Sequence, residues 1–145
     1  MSIPGPEYGL LNDFAGKWKT TGLIKAANGS PEVYVHGYDS YEWWPGNFFL
    51  LHKADVFIGD ERSETIEIIS YDDSTKSYRM QYFDNKGSHG LMTARFDNNK
   101  WRFQGETLRF RGSFNENKTI FSGTWEQSSG GNWHHFMDIR LEKEG

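Results

Sequence analysis

The sequence predicts an all-β fold, a ten-stranded antiparallel meander closed into a barrel behind one short N-terminal helix. Three observations lead there. Aromatic residues make up 17% of the 145 residues while hydrophobic residues reach only 36%, and mean hydropathy is -0.76; many rings in a polar chain are what half-buried strands require. Turn-forming clusters recur about every ten residues. Helical spacing occurs once, at the N-terminus.

Pro6 and Glu7, followed by Leu10, Leu11 and Phe14 and a stop at Gly16, predict a helix with an apolar underside. From Lys17 onward the turn clusters are Asn28-Gly29, Pro45-Gly46, Gly59-Asp60, Asp72-Asp73, Asn85-Lys86-Gly87, Asn98-Asn99, Asn115-Glu116-Asn117 and Ser128-Ser129-Gly130-Gly131. They delimit strands at about 17–27, 32–44, 47–58, 64–71, 77–84, 88–97, 100–104, 107–114, 119–127 and 132–142. Loops this short join each strand to the next and leave no room for crossover helices, and so long a sheet curls closed. One domain spanning 1–145 accommodates the whole pattern.

Composition excludes several function classes. A net charge of -4 lacks the cationic excess that displaces phosphate counterions, so no nucleic-acid partner is expected. The absence of Cys removes disulfides and thiolate chemistry and suits a reducing compartment. Met1 to Leu10 lacks a basic run followed by an apolar stretch, and no window approaches the ~18 apolar residues of a membrane span. A cytoplasmic location without membrane contact is the expectation. No Gly-rich phosphate loop, Gly-x-Ser-x-Gly elbow or His-Glu-x-x-His element occurs.

Hairpin arithmetic orients the side chains, because a short loop makes every cross-strand pair share one sum of residue numbers. A two-residue loop at Asn28-Gly29 sets Trp18 opposite Asp39, and one at Pro45-Gly46 sets Asp39 opposite His52 and Tyr41 opposite Leu50. The other face carries Lys17, Lys19, Glu42, Lys53 and Asp55, so Trp18, Asp39 and His52 point inward. Asn98-Asn99 pairs Phe96 with Trp101 and Ala94 with Phe103; a four-residue loop at 115–118 pairs Phe110 with Gly123 and Leu108 with Trp125. Arg95, Arg102, Arg109 and Arg111 then lie outside, where they could make an anion-binding patch; a solvated face is the preferred reading because the chain is acidic. Tyr78, Met80 and Tyr82 alternate with Arg79 and Gln81 and are placed inside. Of the adjacent His134 and His135 only one can point inward, and His135 is the choice.

Gly16-Lys17-Trp18 resembles the Gly-x-Trp signature of calycin (lipocalin-like) barrels, whose Trp closes one end and often packs against a basic residue of a late strand, here Arg140. The run from Leu11 to Lys143 resembles the DUF1579 family through Ala15-Gly16-Lys17-Trp18, Tyr41-Glu42-Trp43, Tyr71-Asp72, Phe83-Asp84 and Phe136 to Arg140. It departs from that family at Tyr82-Phe83-Asp84, where a Trp is expected before the Asp, and in a shorter segment around Thr107. The resemblance implies a calycin barrel and supplies no activity.

The expected function is therefore non-catalytic binding of a small, largely apolar molecule in the lumen, with no cofactor. The expected wall is Asp39, Tyr41, His52, Tyr78, Met80, Tyr82, Met92, Phe103, Phe110, Trp125 and His135. Asp39 and His52 form the alternative, an acid-base pair in the same cavity, since a carboxylate fixes an imidazole tautomer and raises its basicity. A zinc site would require Asp39, His52 and His135 to converge; a haem site, as in the related nitrobindins, would use His52 or His135 as axial ligand. The last alternative is a packed barrel acting in protein association. Tyr34, Trp44, Phe49, Leu51 and Phe57 fall on the outer face of the second and third strands, an apolar stripe that a two-fold homodimer would cover.

Overall fold

The computed structural model describes residues 4–25 and 30–145. Helix α1 (Pro6–Asn12) leads into strands β1 (Gly16–Ile24), β2 (Val33–Trp43), β3 (Leu50–Ile58), β4 (Glu61–Asp72), β5 (Ser77–Asp84), β6 (His89–Asp97), β7 (Lys100–Gln104), β8 (Leu108–Phe114), β9 (Ile120–Ser129) and β10 (Asn132–Lys143). Every strand pairs antiparallel with its chain neighbour, and β1 pairs with β10 to close the barrel. The all-β, ten-stranded barrel with one short helix is thus present as expected. No helix among the described residues is long and apolar enough to cross a membrane.

The hairpin sums hold at some turns and shift at others. Asn28-Gly29 lies outside the described residues, yet Trp18 faces Asp39 and Ile24 faces Val33 across it as the two-residue loop requires. Asn98 and Asn99 both adopt positive φ, 52° and 62°, the conformation of a tight hairpin turn, and Ala94 faces Phe103. The β2–β3 loop is longer than Pro45-Gly46 alone: the Trp44 amide donates to Phe49 O at 2.9 Å and the Asn47 amide to Trp44 O at 2.9 Å. Tyr41 therefore faces His52, and Asp39 faces Ala54. The β8–β9 pairing moves similarly, because Asn115 Oδ1 accepts from the Thr119 and Ile120 amides at 2.9 Å each, and Phe110 faces Trp125 rather than Gly123. Both slips are by two in the sum of residue numbers, so every side chain keeps its face.

On β10 a register shift between His135 and Met137 overturns the expected orientation of one residue. The extra residue, Phe136, reverses the alternation. Met137 stays inside opposite Trp125, while His135 faces Glu126 on the outer surface and bonds Asp138 Oδ1 at 2.9 Å.

Helix α1 plugs one end of the barrel. Phe14 packs against the rings of Tyr41, Trp101, Phe114 and Phe121 at 4.9–5.2 Å. Three ring donors tie the segment down: Tyr78 Oη donates to Glu7 O at 2.6 Å, Trp43 Nε1 to Asn12 Oδ1 at 2.8 Å, and Trp18 Nε1 to Phe14 O at 2.7 Å. Trp18 is fully buried. The cation over its ring is Lys143, at 5.5 Å; Arg140 instead faces Thr21 and pairs with Glu142 at 2.9 Å on the exterior. The basic partner thus sits three residues beyond the expected one, where strand pairing sets Lys143 opposite Trp18.

Candidate functional site

The barrel interior divides into two halves along its axis. Below the level of Asp39 and Met92 the inner side chains are buried, among them Leu11, Leu50, Ile69, Tyr78, Trp101 and Phe110. A void of about 10 Å³, room for a single water, lies among Leu11, Phe14, Tyr41, Ile69, Met80 and Trp101. Tyr78, Met80, Met92, Phe103 and Phe110 thus face inward as expected, but as packed core rather than as an open wall. Above that level Thr20 and Val35 are buried as well, while the inner residues Ala54, Val56, Thr65, Tyr82, Leu108, Trp125, Met137 and Ile139 are half-buried.

At the boundary lies a charged triad. Strand pairing aligns Tyr41, His52, Glu67, Tyr82 and Gly90 in one inner row across β2 to β6. Asp39 stands one inner position from Tyr41 along β2, so a diagonal contact replaces the expected direct pair. His52 Nε2 lies 2.6 Å from Asp39 Oδ2, and Nδ1 lies 2.8 Å from Glu67 Oε1. Thr20 Oγ1 donates to Asp39 Oδ1. The Tyr41 ring stacks on the imidazole at 4.0 Å with the planes 7° apart. Asp39 and Glu67 are only 8% and 7% exposed, and each of these interior carboxyl groups is hydrogen-bonded to His52.

Two carboxylates on two nitrogens decide the chemistry of His52. Burial alone would pull its pKa down, but the hydrogen bonds and charges of Asp39 and Glu67 outweigh it and push the value up to about 9. Both nitrogens then carry protons and both donate. Burial, reinforced by the nearby Asp39 and Glu67 charges, pushes the Tyr41 phenol well above its usual range. In the protonated state each ring nitrogen of His52 donates to one carboxylate, Nε2 to Asp39 and Nδ1 to Glu67. With His135 on the outer surface, Asp39, His52 and His135 do not converge. Among the described residues no group of His, Asp and Glu side chains is arranged to hold a metal ion.

Glu67 and Thr20 are the site residues that the sequence reading missed. In the run Ile66-Glu67-Ile68 hydrophobicity argues for the two isoleucines inside, whereas the structure turns them out and Glu67 in. The signal was available at Gly59-Asp60: a two-residue loop there has a sum that sets His52 opposite Glu67, which is the pairing observed.

Outside the barrel, Arg95, Arg102, Arg109 and Arg111 lie on adjacent strands as expected. Tyr34, Trp44, Phe49 and Phe57 are exposed and Leu51 is half-buried, also on the outer side. Phe57 faces His36, ring stacked on ring at 5.5 Å.

No curated protein matches the chain. Among solved structures, the fold is similar to that of "Crystal Structure of Rv2717c from M. tuberculosis", with a TM-score of 0.65 over 99% of this chain and 100% of that one at 10% identity. At that identity the likeness speaks for the barrel alone. The family model described as "Protein of unknown function (DUF1579)" matches residues 3–95, well over half of the chain, and the protein belongs to that family.

Proposed function

We propose that this barrel binds a small, mostly apolar molecule in the half of its interior above the Asp39–His52–Glu67 triad, without catalysing a reaction. The observation that carries this reading is the division of the interior. In one half Tyr78, Met80, Trp101, Phe103 and Phe110 are packed and buried, while in the other the inner residues Tyr82, Leu108, Trp125, Met137 and Ile139 keep part of their surface open. Apolar walls converging on a few fixed polar groups are the usual makings of a ligand site. Two carboxylates around one imidazolium leave one negative charge in excess at the floor, which favours a ligand presenting hydrogen-bond donors there.

The calycin reading and the cytoplasmic location belong to the same proposal. Trp18 sealing the helix-capped end under Lys143 supports the first, and the Cys-free composition supports the second. Native mass spectrometry of protein purified without detergent tests the function: a non-protein mass should be retained and should be lost in Ala54→Trp, which fills the open half beside Asp39. A wild-type protein that carries no ligand and takes up no neutral apolar probe such as Nile red would overturn it.

Self-association is a second reading, favoured by one observation. The outer faces of β3 to β6 align Leu51, Ile68, Gln81 and Leu91 in one row and Lys53, Ile66, Phe83 and His89 in the next, and Ile66, Ile68, Phe83 and Leu91 are exposed. With Trp44 and Phe49 also exposed, these apolar side chains on the outer surface suit contact with a second copy of the chain across a two-fold axis.

A further inference from the structure

The outer surface of β7, β8 and β9 carries a concavity of about 480 Å³ lined by Arg102, Gln104, Arg109, Arg111, Thr124 and Glu126. Its charge is not a reflection of composition, because the chain as a whole carries -4. Strand pairing sets Arg95 opposite Arg102 and Arg102 opposite Arg111, so three guanidinium groups stand in one cross-strand row. Like charges directly opposite one another destabilise a sheet. Acidic neighbours usually relieve such a row, and here they do not: Glu126 is held by Arg109 at 2.6 Å, and Asp138, at the far end, is engaged by Thr124 and His135 at 2.9 Å each. Among the described residues, Arg102 and Arg111 have no hydrogen-bond or ion-pair partner. Two free guanidinium forks facing one concavity provide planar, paired N–H donors matched to the oxygens of a tetrahedral anion.

We propose that this groove is a binding site for a compact dianionic oxyanion, the phosphate group of a small molecule or free phosphate, held between Arg102 and Arg111. Its extent argues for a single phosphate rather than a polymer. The row continues through Thr124 to Asp138 on β10, with Glu126 beside it opposite Arg109, and a polyanion continuing across these carboxylates would meet repulsion. The bulge at Phe136 also contributes: it turns Trp133 outward, where Arg109 lies 4.4 Å from its ring centre. Arg109 is thereby stacked and ion-paired at the groove edge, leaving Arg102 and Arg111 as the free pair.

The test is a titration followed by ¹⁵N-amide shifts at constant ionic strength, with inorganic phosphate, methyl phosphate and acetate as separate arms. Saturable shifts on β7 to β9 are expected with both phosphates, and methyl phosphate as the tighter of the two would identify an esterified source. Acetate, with half the charge, should bind at least ~10-fold more weakly. Arg102→Gln and Arg111→Gln should each weaken phosphate binding by at least ~10-fold, while Arg140→Gln, an exterior arginine paired elsewhere, should leave it unchanged. Thermal melts supply an independent readout. Phosphate should raise the melting temperature of the wild type and not of Arg111→Gln, which at low salt should itself melt above the wild type because the repulsion is gone. Non-saturating shifts, equal responses to acetate and phosphate, or equal stabilisation of Arg111→Gln by phosphate would reduce the effect to ionic screening and overturn the site.

Discussion

Glu67 Oε1 lies 2.8 Å from Nδ1 of His52, on the edge of the imidazole opposite the one that Asp39 holds at 2.6 Å. The ring is thereby a cationic bridge between two strands, β2 and β4, that are not neighbours in the sheet. It ties the packed half of the barrel to the open half at the level where burial changes.

This geometry has a pH signature. His52 has an ordinary pKa of 6.5 and is pushed up to about 9 in the fold, so its contribution to stability is complete below pH 6.5 and is lost as pH rises through 9. That contribution is on the order of 3 kcal/mol. The wild type should therefore lose stability between pH 6.5 and 9.5 relative to His52→Gln, measured by chemical denaturation at each pH. Direct ¹⁵N observation of the imidazole should find both nitrogens protonated at pH 7.5; a neutral ring at that pH would contradict the triad.

Replacing Glu67 by Gln removes one of the two carboxylates that hold the proton. The His52 pKa should fall, read by NMR titration of the ring, while the fold persists because Gln fills the same space. Removing His52 outright is the more damaging change: His52→Ala leaves two interior carboxylates facing each other and should cost about 3–5 kcal/mol.

Trp18→Ala should cost about 3–5 kcal/mol in equilibrium unfolding, since it empties a fully buried ring site. Lys143→Ala should cost about 0.5–1 kcal/mol by removing the cation from the ring face, and Arg140→Ala nearly nothing. A larger loss for Arg140→Ala than for Lys143→Ala would reverse the assignment of the basic partner.

Much of the architecture was legible because β-hairpins are arithmetic. The sums at Asn28-Gly29 and Asn98-Asn99 reproduce the pairing observed, and where the loop was misjudged, at Pro45-Gly46 and at 115–118, the slip by two moved partners without turning any side chain over. Asp39 and His52 thus stayed on one face even though their contact is diagonal. A single-residue bulge has the opposite consequence: Phe136 leaves the strand's length and composition unchanged yet sends His135 outside, and nothing in Trp133-His134-His135-Phe136 announces it. Glu67 escaped for a different reason. The apolar patch outside the barrel makes Ile66 and Ile68 exposed, so alternation of hydrophobicity there points the wrong way and only the register at Gly59-Asp60 reveals the acid.

The same outer patch makes oligomeric state informative. Light scattering at tens of micromolar should give a dimer, and Leu51→Glu should dissociate it without lowering the melting temperature by more than a few degrees. A wild-type monomer would remove the association reading; a Leu51→Glu dimer would move the interface elsewhere.

The most direct measurement of the binding reading uses methionine methyl groups as depth markers. Met80 and Met92 lie in the packed half, whereas Met137 is half-buried in the open half opposite Trp125. In protein labelled with ¹³C at the methionine methyls and titrated with Nile red, the Met137 resonance should shift saturably while Met80 and Met92 stay in place. A titration that leaves Met137 unmoved, or that moves Met80 and Met92 as the filled half opens, would contradict a ligand site above the Asp39–His52–Glu67 floor.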